Sequence, residues 1–181
     1  MSELDRATLE RCRRGNAEAF RVLVRAYQDR VFALCMALAG SDGEDLAQET
    51  FVRVHGSIKQ FEPQGPASLS TWILKIARRL CIDRARGARV RLAAPEVEPS
   101  SNATPEHAVS ARQTGDRLRA AIAALPEDQR AVIALREWDG LEYEAIAEIE
   151  GVPVGTIRSR LARAREALRT ALADLKEENV A

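Results

Sequence analysis

Apolar side chains recur at spacings of three and four along the first third of the chain, the pattern of an amphipathic helix. The stripe of a first long helix consists of Phe20, Leu23, Val24, Tyr27, Val31, Leu34, Cys35 and Leu38. Gly40-Ser41 ends this helix, and Ser41 or Asp42 can cap the next one, which runs to about Gln60. Its stripe consists of Ala47, Phe51, Val54, Ile58 and Phe61.

A loop follows in EPQGPASLS, because two Pro and one Gly forbid regular structure there. A third helix then carries an apolar stripe of Leu69, Trp72, Ile73, Ile76 and Leu80. Trp72 is therefore predicted to belong to the core. Lys75, Arg79 and Arg86 line up along one edge of this helix, and Arg78 is expected elsewhere on its surface. This edge is the first plausible phosphate-facing surface.

Helical patterning gives way at about Ala88 to RLAAPEVEPSSNATPEH, which has little to bury. We predict a flexible linker over 88–116, between helical domains over 1–87 and 117–181. Aromatic residues make up only 4% of the chain, whereas Ala, Leu, Arg and Glu abound, which favours helices. The predicted fold class is all-α, with two small domains on a tether.

The strongest local signal is LEYEAIAEIEGVPVGTIRSRLARAREAL, which predicts a helix-turn-helix. Ala147 is small where two helices cross, Gly151 lies where the turn needs a positive φ, and Ile157 seals the core between the helices. Pro153 cannot continue the first helix but can stand at the start of the second.

The second helix of this motif is predicted to turn an apolar stripe inward and basic residues outward. Five Arg and one Glu lie between Arg158 and Arg169. Such a mixture is also compatible with a merely solvated face, but the preceding turn favours DNA binding. Arg158 and Arg163 are the candidates for reading base edges, and Arg160, Arg165 and Arg169 for phosphate contacts or surface ion pairs.

Composition excludes several other classes of protein. The 27 basic and 27 acidic residues balance, so any DNA contact must come from local patches. No run of about 20 apolar residues or secretory signal is present, which predicts a cytoplasmic protein without membrane insertion. Cys12, Cys35 and Cys81 are odd in number and widely spaced, which argues against a disulfide framework, a zinc site or an internal redox switch.

No metal, cofactor or catalytic activity is expected. His55 and His107 are too few and too far apart for a metal site, and the chain has no phosphate loop or glycine-rich dinucleotide turn.

Three segments together resemble the extracytoplasmic-function, or group IV, RNA polymerase sigma factors. DGEDLAQETFVRVHGSIKQF resembles the family's core-binding segment, and STWILKIARRLCIDRAR its promoter-melting helix. LPEDQRAVIALREWDGLEYEAIAEIEGVPVGTIRSRLARAREAL resembles its upstream-element reader. The resemblance covers nearly the whole chain.

The resemblance implies a transcription initiation factor that binds RNA polymerase core. The clamp coiled coil of the largest polymerase subunit would contact Asp45, Gln48, Glu49 and Val52. The flap of the second-largest subunit is a further expected partner. Many relatives are held inactive by an anti-sigma protein, and the resemblance implies such a partner here.

Both promoter elements have candidate residues by the same resemblance. The loop from about Phe61 to Ser70 would capture a base flipped from the -10 element. The -10 set is Phe61, Ser68, Ser70, Lys75, Arg78, Arg79 and Arg86. The -35 set is Thr156, Arg158, Ser159, Arg160, Ala162, Arg163 and Arg165. Many family members carry Asn where this chain has Arg79, a departure that bears on the -10 base preference.

The alternative hypothesis is an operator-binding regulator, a dimer whose N-terminal half senses a ligand. It requires a dimer interface and appreciable DNA affinity without polymerase. The sequence offers no clear coiled-coil seam, and this hypothesis leaves the segment around Asp45 unexplained. The balanced charge predicts instead that the free protein binds promoter DNA poorly.

Overall fold

The computed structural model describes residues 4–92 and 109–173, and within these ranges all regular secondary structure is helical. The N-terminal half contains four α-helices: α1 (Arg6–Arg13), α2 (Ala17–Ala39), α3 (Gly43–Ser57) and α4 (Leu69–Leu92). The C-terminal half contains four more: α5 (Val109–Ala124), α6 (Glu127–Ile133), α7 (Tyr143–Glu150) and α8 (Val154–Ala171). Short 3₁₀ turns flank α3, and a π-helical turn, Ala134–Trp138, follows α6. The predicted all-α fold is confirmed.

The break after α2 lies where the sequence predicted it, but α3 starts differently. Gly40 has a φ of 57°, in the left-handed region that glycine tolerates. The prediction that Ser41 or Asp42 caps the next helix is wrong, since no side chain caps α3. The Asp42 carboxylate instead accepts a hydrogen bond from Arg84 on α4 at 2.6 Å, which ties the start of α3 to α4.

The predicted apolar stripes form the core of the N-terminal half. Leu23, Val31 and Leu34 of α2 are fully buried, as are Val54 of α3 and Ile73 of α4. Trp72 is only half-buried and packs at the edge of this core, where its ring centroid lies 5.3 Å from that of Phe61.

Helices extend into both ends of the segment 88–116 that the sequence predicted to be a linker. α4 continues to Leu92 and α5 starts at Val109, whereas 93–108 lies outside the described residues. The flexibility of the linker stays a prediction.

The turn between α7 and α8 follows the sequence prediction closely. Gly151 has a φ of 67° and its N–H donates to the carbonyl of Ala147 at 2.9 Å. Pro153 precedes the first residue of α8, and Ile157 is fully buried between the two helices. α7, this turn and α8 therefore form a helix-turn-helix, as the spacing of these residues predicted.

The two halves pack against each other. α4 lies along α7, and α2 contacts α6 and the π-helical turn. At this contact the Arg30 side chain donates to the carbonyl oxygen of Asp139 at 3.0 Å, and its Nε lies 3.3 Å from the Asp139 carboxylate. Burial raises the pKa of Asp139 to about 6, against the opposing effect of Arg30.

Gly43 allows the close crossing of α2 and α3, and its replacement tests that packing. A Cβ at this position would lie 2.7 Å from the backbone N and Cα of Met36. Because backbone cannot move aside as a side chain can, we expect Gly43→Ala to lower the free energy of unfolding by about 2 kcal/mol. Urea unfolding followed by circular dichroism measures this change.

Gly56→Ala is the matched control in the same helix, because nothing lies within 4 Å of a Cβ built there. It should raise the free energy of unfolding by about 0.5 kcal/mol, since alanine favours the helix over glycine. Equal effects of the two substitutions would contradict the close crossing.

The Asp139 carboxyl predicts a pH dependence of stability. Because the pKa of Asp139 is raised in the folded protein, the neutral carboxyl is favoured by folding. Its contribution to stability is complete below the unfolded pKa of 3.8 and is lost as the pH rises through about 6. Asp139→Asn removes this titration. Between about pH 4 and about pH 7, wild type should therefore lose about 2 kcal/mol of stability relative to Asp139→Asn. Parallel stability–pH curves for the two proteins would contradict the assignment.

Candidate nucleic-acid interface

The outer face of α8 presents two arginines that have no side-chain partner among the described residues. Ile157, Leu161 and Ala164 are buried, which turns Arg158, Ala162 and Arg163 to the exposed side of the helix. Neither Arg158 nor Arg163 forms a side-chain hydrogen bond or ion pair with any other residue in the described parts of the chain. Their guanidinium groups are therefore available for an external acceptor.

The other basic residues of α8 are paired with acidic side chains. Arg160 contacts Asp128 at 3.0 Å and Glu150 at 3.5 Å, and it is mostly buried. Arg165 binds Glu137 at 2.7 Å, which raises the pKa of the guanidinium. Arg169 pairs with Glu166. The two groups that the sequence distinguished therefore differ in their pairing within the described residues, and their roles toward DNA stay predictions.

Near the start of α8, Thr156 and Ser159 are half-buried. The Ser159 hydroxyl donates to the carbonyl of Thr156 at 2.9 Å. Thr156 and Ser159 lie on either side of Arg158 in the sequence, in the first two turns of α8.

α3 presents a polar face to solvent, as its periodicity predicted. Asp45 and Gln48 are exposed, and Glu49 accepts a hydrogen bond from Arg53, one turn further along, at 3.1 Å. Val52 lies on the same side and is 69% exposed, which is unusual for an aliphatic side chain. This face is therefore polar apart from one exposed apolar side chain.

α4 exposes most of its predicted phosphate-facing edge. Lys75, Arg79 and Arg86 are exposed, with Lys75 3.6 Å from Glu148 of α7 and Arg79 4.0 Å from Asp83. Each of these two pairs lies largely in solvent, where an ion pair contributes at most about 1 kcal/mol. Both cations can therefore exchange partners easily.

Arg78 does not lie on the surface, so the prediction of its placement is wrong in this arrangement. It is only 5% exposed, since α7 and the start of α6 cover it. Its Nε donates to Glu150 and its Nη1 to Glu127, both at 2.7 Å. Burial opposes the charged form, but these two carboxylates raise the pKa of Arg78 above its ordinary value.

Sequence reasoning missed the partners of Arg78. Glu127 and Glu150 lie 49 and 72 residues from Arg78 in the chain, so no local spacing connects them. In the sequence, nothing distinguishes Glu127 and Glu150 from the other acidic residues on amphipathic helices.

The loop before α4 lines a small cavity that is open to solvent on one side. The cavity has a volume of about 190 Å³, and Phe61, Gln64 and Ser68 line it together with Leu4 and Arg6 from around the start of α1. Ser68 is exposed, whereas Phe61 and Ser70 are buried. The Ser70 hydroxyl accepts a hydrogen bond from Arg30 at 2.7 Å, so it is already engaged within the N-terminal half.

An apolar groove of about 540 Å³ lies where α2 faces α5 and α6. Phe32 and Met36 of α2 line one side, and Ile122 and Trp138 the other. Arg130 also lines the groove, and its Nε is buried without a hydrogen-bond partner among the described residues. Three large apolar side chains stay partly exposed here, with Trp138 at 48%.

Two kinds of feature are absent from residues 4–92 and 109–173. No helix there is both long enough and apolar enough to cross a membrane. No group of three or more His, Cys, Asp or Glu side chains there could hold a metal ion.

Two family models match the chain in consecutive segments. Residues 23–91 match sigma-70 region 2, and residues 115–168 match sigma-70 region 4. The first segment contains α3, α4 and most of α2, and the second contains the helix-turn-helix.

Curated proteins similar to the chain include two sigma factors. It is 33% identical over 189 residues to the ECF RNA polymerase sigma factor SigW of Bacillus subtilis, covering 97% of this chain and 100% of that protein. It is 39% identical over 164 residues to the ECF RNA polymerase sigma factor SigE of Mycolicibacterium smegmatis, covering 86% of this chain. The chain spans 62% of the length of that SigE.

A solved structure supports the same assignment. The sigma factor RpoE of Bartonella quintana, crystallised in complex with the anti-sigma factor NepR, is 26% identical and has a TM-score of 0.69. The similarity covers 87% of this chain and 98% of RpoE. On the matched regions, the full-length relative and the shared fold, the chain belongs to the extracytoplasmic-function RNA polymerase sigma factors.

Proposed function

We propose that this chain is a group IV sigma factor that binds RNA polymerase core in the cytoplasm and directs it to promoters with particular -10 and -35 elements. This proposal rests on Arg158 and Arg163 of α8, the second helix of the helix-turn-helix. Both side chains are exposed and have no hydrogen-bond or ion-pair partner among the described residues. An anti-sigma protein controls the factor by occupying the groove between its two halves.

Reading of the -35 element is supported by the geometry of α8. A recognition helix inserts its N-terminal part into the major groove. Arg158 lies in that part and Arg163 at the middle of α8, both on the exposed side. An arginine fork can bond both acceptors of a guanine edge, which discriminates by about 1–3 kcal/mol per base pair. Arg160 and Arg165 would contact phosphates after leaving their carboxylate partners.

Binding to polymerase is supported by the exposed face of α3. Asp45, Gln48 and Glu49 offer hydrogen-bond acceptors and charge, and Val52 adds apolar area that a partner would bury. The clamp coiled coil of the largest subunit is the proposed partner of this face. The C-terminal half would contact the flap of the second-largest subunit.

Opening of the -10 element is supported by the loop cavity and the basic edge of α4. A flipped base needs an enclosed site beside cations that hold the displaced strand. The cavity over Phe61, Gln64 and Ser68 would receive the base, and Lys75, Arg79 and Arg86 would bind phosphates.

The ion pairs of Arg78 with Glu127 and Glu150 imply that the two halves separate before this step. Arg78 is covered by α7 and cannot reach DNA while Glu127 and Glu150 hold it. Free protein in this closed arrangement would bind promoter DNA poorly, for a reason beyond its balanced charge.

The groove between α2 and α5–α6 supports control by an anti-sigma protein. Its walls are apolar, and Arg130 adds a cation whose Nε has no partner within the described residues. An amphipathic helix with an apolar face and a few acidic residues is complementary to such a groove. Because RpoE was crystallised with the anti-sigma factor NepR, an anti-sigma protein is the proposed partner for this groove.

Run-off transcription tests the proposed function. Sigma-free polymerase core is mixed with a genomic promoter pool, with and without the protein, and discrete new transcripts are expected only with it. Arg158→Ala/Arg163→Ala should reduce these transcripts at least tenfold, because about 1–3 kcal/mol is lost for each base contact. Asp45→Ala/Glu49→Ala should reduce them by weakening core binding, which co-purification with core measures.

Thr170→Ala is the control on the same helix, because Thr170 is exposed beyond every residue predicted to contact DNA. It should leave the transcripts within about twofold, as expected for a surface substitution. If core stays silent while the protein alone shifts operator DNA, the chain is an operator-binding regulator and the proposal is wrong.

Removing a partner of Arg78 should open the closed arrangement. Glu150→Gln leaves a buried guanidinium short of one carboxylate, a loss that typically costs about 3–5 kcal/mol. We expect the halves to separate and the radius of gyration, measured by small-angle X-ray scattering, to increase. Helical content by circular dichroism should stay unchanged.

Glu144→Gln is the control for this experiment, since Glu144 is exposed on the same helix. It removes the same charge without uncovering a buried cation. Identical radii for Glu150→Gln, Glu144→Gln and wild type would show that the Arg78 ion pairs do not hold the halves together.

A further inference from the structure

The fold brings together two cysteines that the sequence separates by 46 residues. The Sγ atoms of Cys35 on α2 and Cys81 on α4 lie 3.9 Å apart. Cys35 is 0% exposed and Cys81 is 3% exposed, and both are free thiols. Cys12, the third free thiol, lies on α1 and is not hydrogen-bonded to either of them.

The surroundings make the two thiols chemically unequal. The hydrogen bond between the two thiols and the nearby charge of Arg78 lower the pKa of Cys81, although burial acts in the opposite direction. The same hydrogen bond, together with burial, raises the pKa of Cys35. Cys81 is therefore the thiol that ionises first, and the thiolate is the reactive form of cysteine.

We propose that Cys35 and Cys81 form a redox modification site, which a small peroxide-class oxidant converts into a disulfide between α2 and α4. The Cys81 thiolate attacks one peroxide oxygen, the O–O bond breaks, and Cys81 becomes a sulfenic acid. The sulfur of Cys35 then attacks the sulfenic sulfur, its proton leaves with the hydroxyl as water, and the S–S bond forms. The two thiols together lose two electrons, and hydrogen peroxide gains them to give two water molecules.

The geometry allows this step with a small rearrangement. A disulfide requires an S–S distance of about 2.05 Å, so the two sulfur atoms must approach by roughly 2 Å from their separation of 3.9 Å. Rotation about χ1 at each cysteine and a small shift between two packed helices provide this movement. Within the described structure, no hydrogen bond joins the Cys12 thiol to either of these two.

Access to Cys81 is linked to the contact between the two halves. Arg78 lies one turn before Cys81 on α4, and the charge of Glu127 on α6 acts on the Cys81 thiol. Separation of the halves uncovers this part of α4. Peroxide therefore reaches the site from the side that α6 and α7 cover in the closed arrangement.

The disulfide would add a covalent bond between helices that packing and the hydrogen bond from Arg30 to Ser70 already join. It closes a long loop from α2 to α4, which reduces the freedom of the unfolded chain and stabilises the folded one. A thiol reductant reverses the bond by thiol–disulfide exchange. α4 also carries the basic edge, so the modification fixes the spacing between that edge and α2.

Thiol counting and peptide mapping on the full-length reduced protein test the proposal. After titration with hydrogen peroxide, the number of free thiols under denaturing conditions should fall from three to one. The intact mass should fall by two hydrogen masses, and a proteolytic map should contain one linked pair of peptides, with Cys35 and Cys81. Dithiothreitol should restore all three thiols, and the oxidised form should melt at a higher temperature than the reduced form.

Single substitutions separate the roles of the cysteines. Cys12→Ala should still form the disulfide, whereas Cys35→Ala should stop at a sulfenic acid on Cys81 that dimedone traps. Cys81→Ala should give neither product. Circular dichroism checks that each variant is folded, and mapping on wild type decides the question without them.

Two results would overturn the proposal. The first is that Cys35 and Cys81 both stay reduced while Cys12 is oxidised. The second is that oxidation yields only disulfides between two copies of the chain.

Discussion

The buried guanidinium of Arg78 is the constraint on which the arrangement of the two halves depends. A cation that is 5% exposed is tolerated only when opposite charges and hydrogen bonds compensate the lost hydration. Both of its carboxylate partners come from the C-terminal half, from α6 and from the end of α7. The N-terminal half therefore cannot expose Arg78 to DNA and keep this contact at the same time.

Glu150 couples that contact to the recognition helix. Its carboxylate, 3% exposed, accepts from Arg78 and also lies 3.5 Å from Arg160 of α8. Lys75–Glu148 and Arg30–Asp139 add further pairs between the halves. Acidic side chains of the C-terminal half therefore cover basic side chains of the N-terminal half. Arg158 and Arg163, outside this network, remain available.

Much of the local structure was predictable from the sequence. The stripes on α2, α3 and α4 and the turn at Gly151 follow from helical periodicity and from the backbone freedom of glycine. The exposed polar face around Asp45 follows from the same rotation per residue. The lack of a side-chain cap on α3 was not predictable. The Asp42 carboxylate instead accepts a hydrogen bond from Arg84, which lies 42 residues away in the chain. The half-exposure of Trp72 was not predictable either, since it depends on how the loop at Phe61 folds over it.

The candidate sites divide in the same way. The sequence by itself determined which helices form, which faces they bury, and which basic residues α8 turns outward, because each depends on neighbours within one or two turns. Only the tertiary structure decided that Arg78 is covered, that Arg160 is paired, and that Cys35 meets Cys81. These contacts join residues that lie on different helices, in several cases more than 40 positions apart. Helical periodicity specifies the face of one helix, whereas the packing of helices specifies which faces meet.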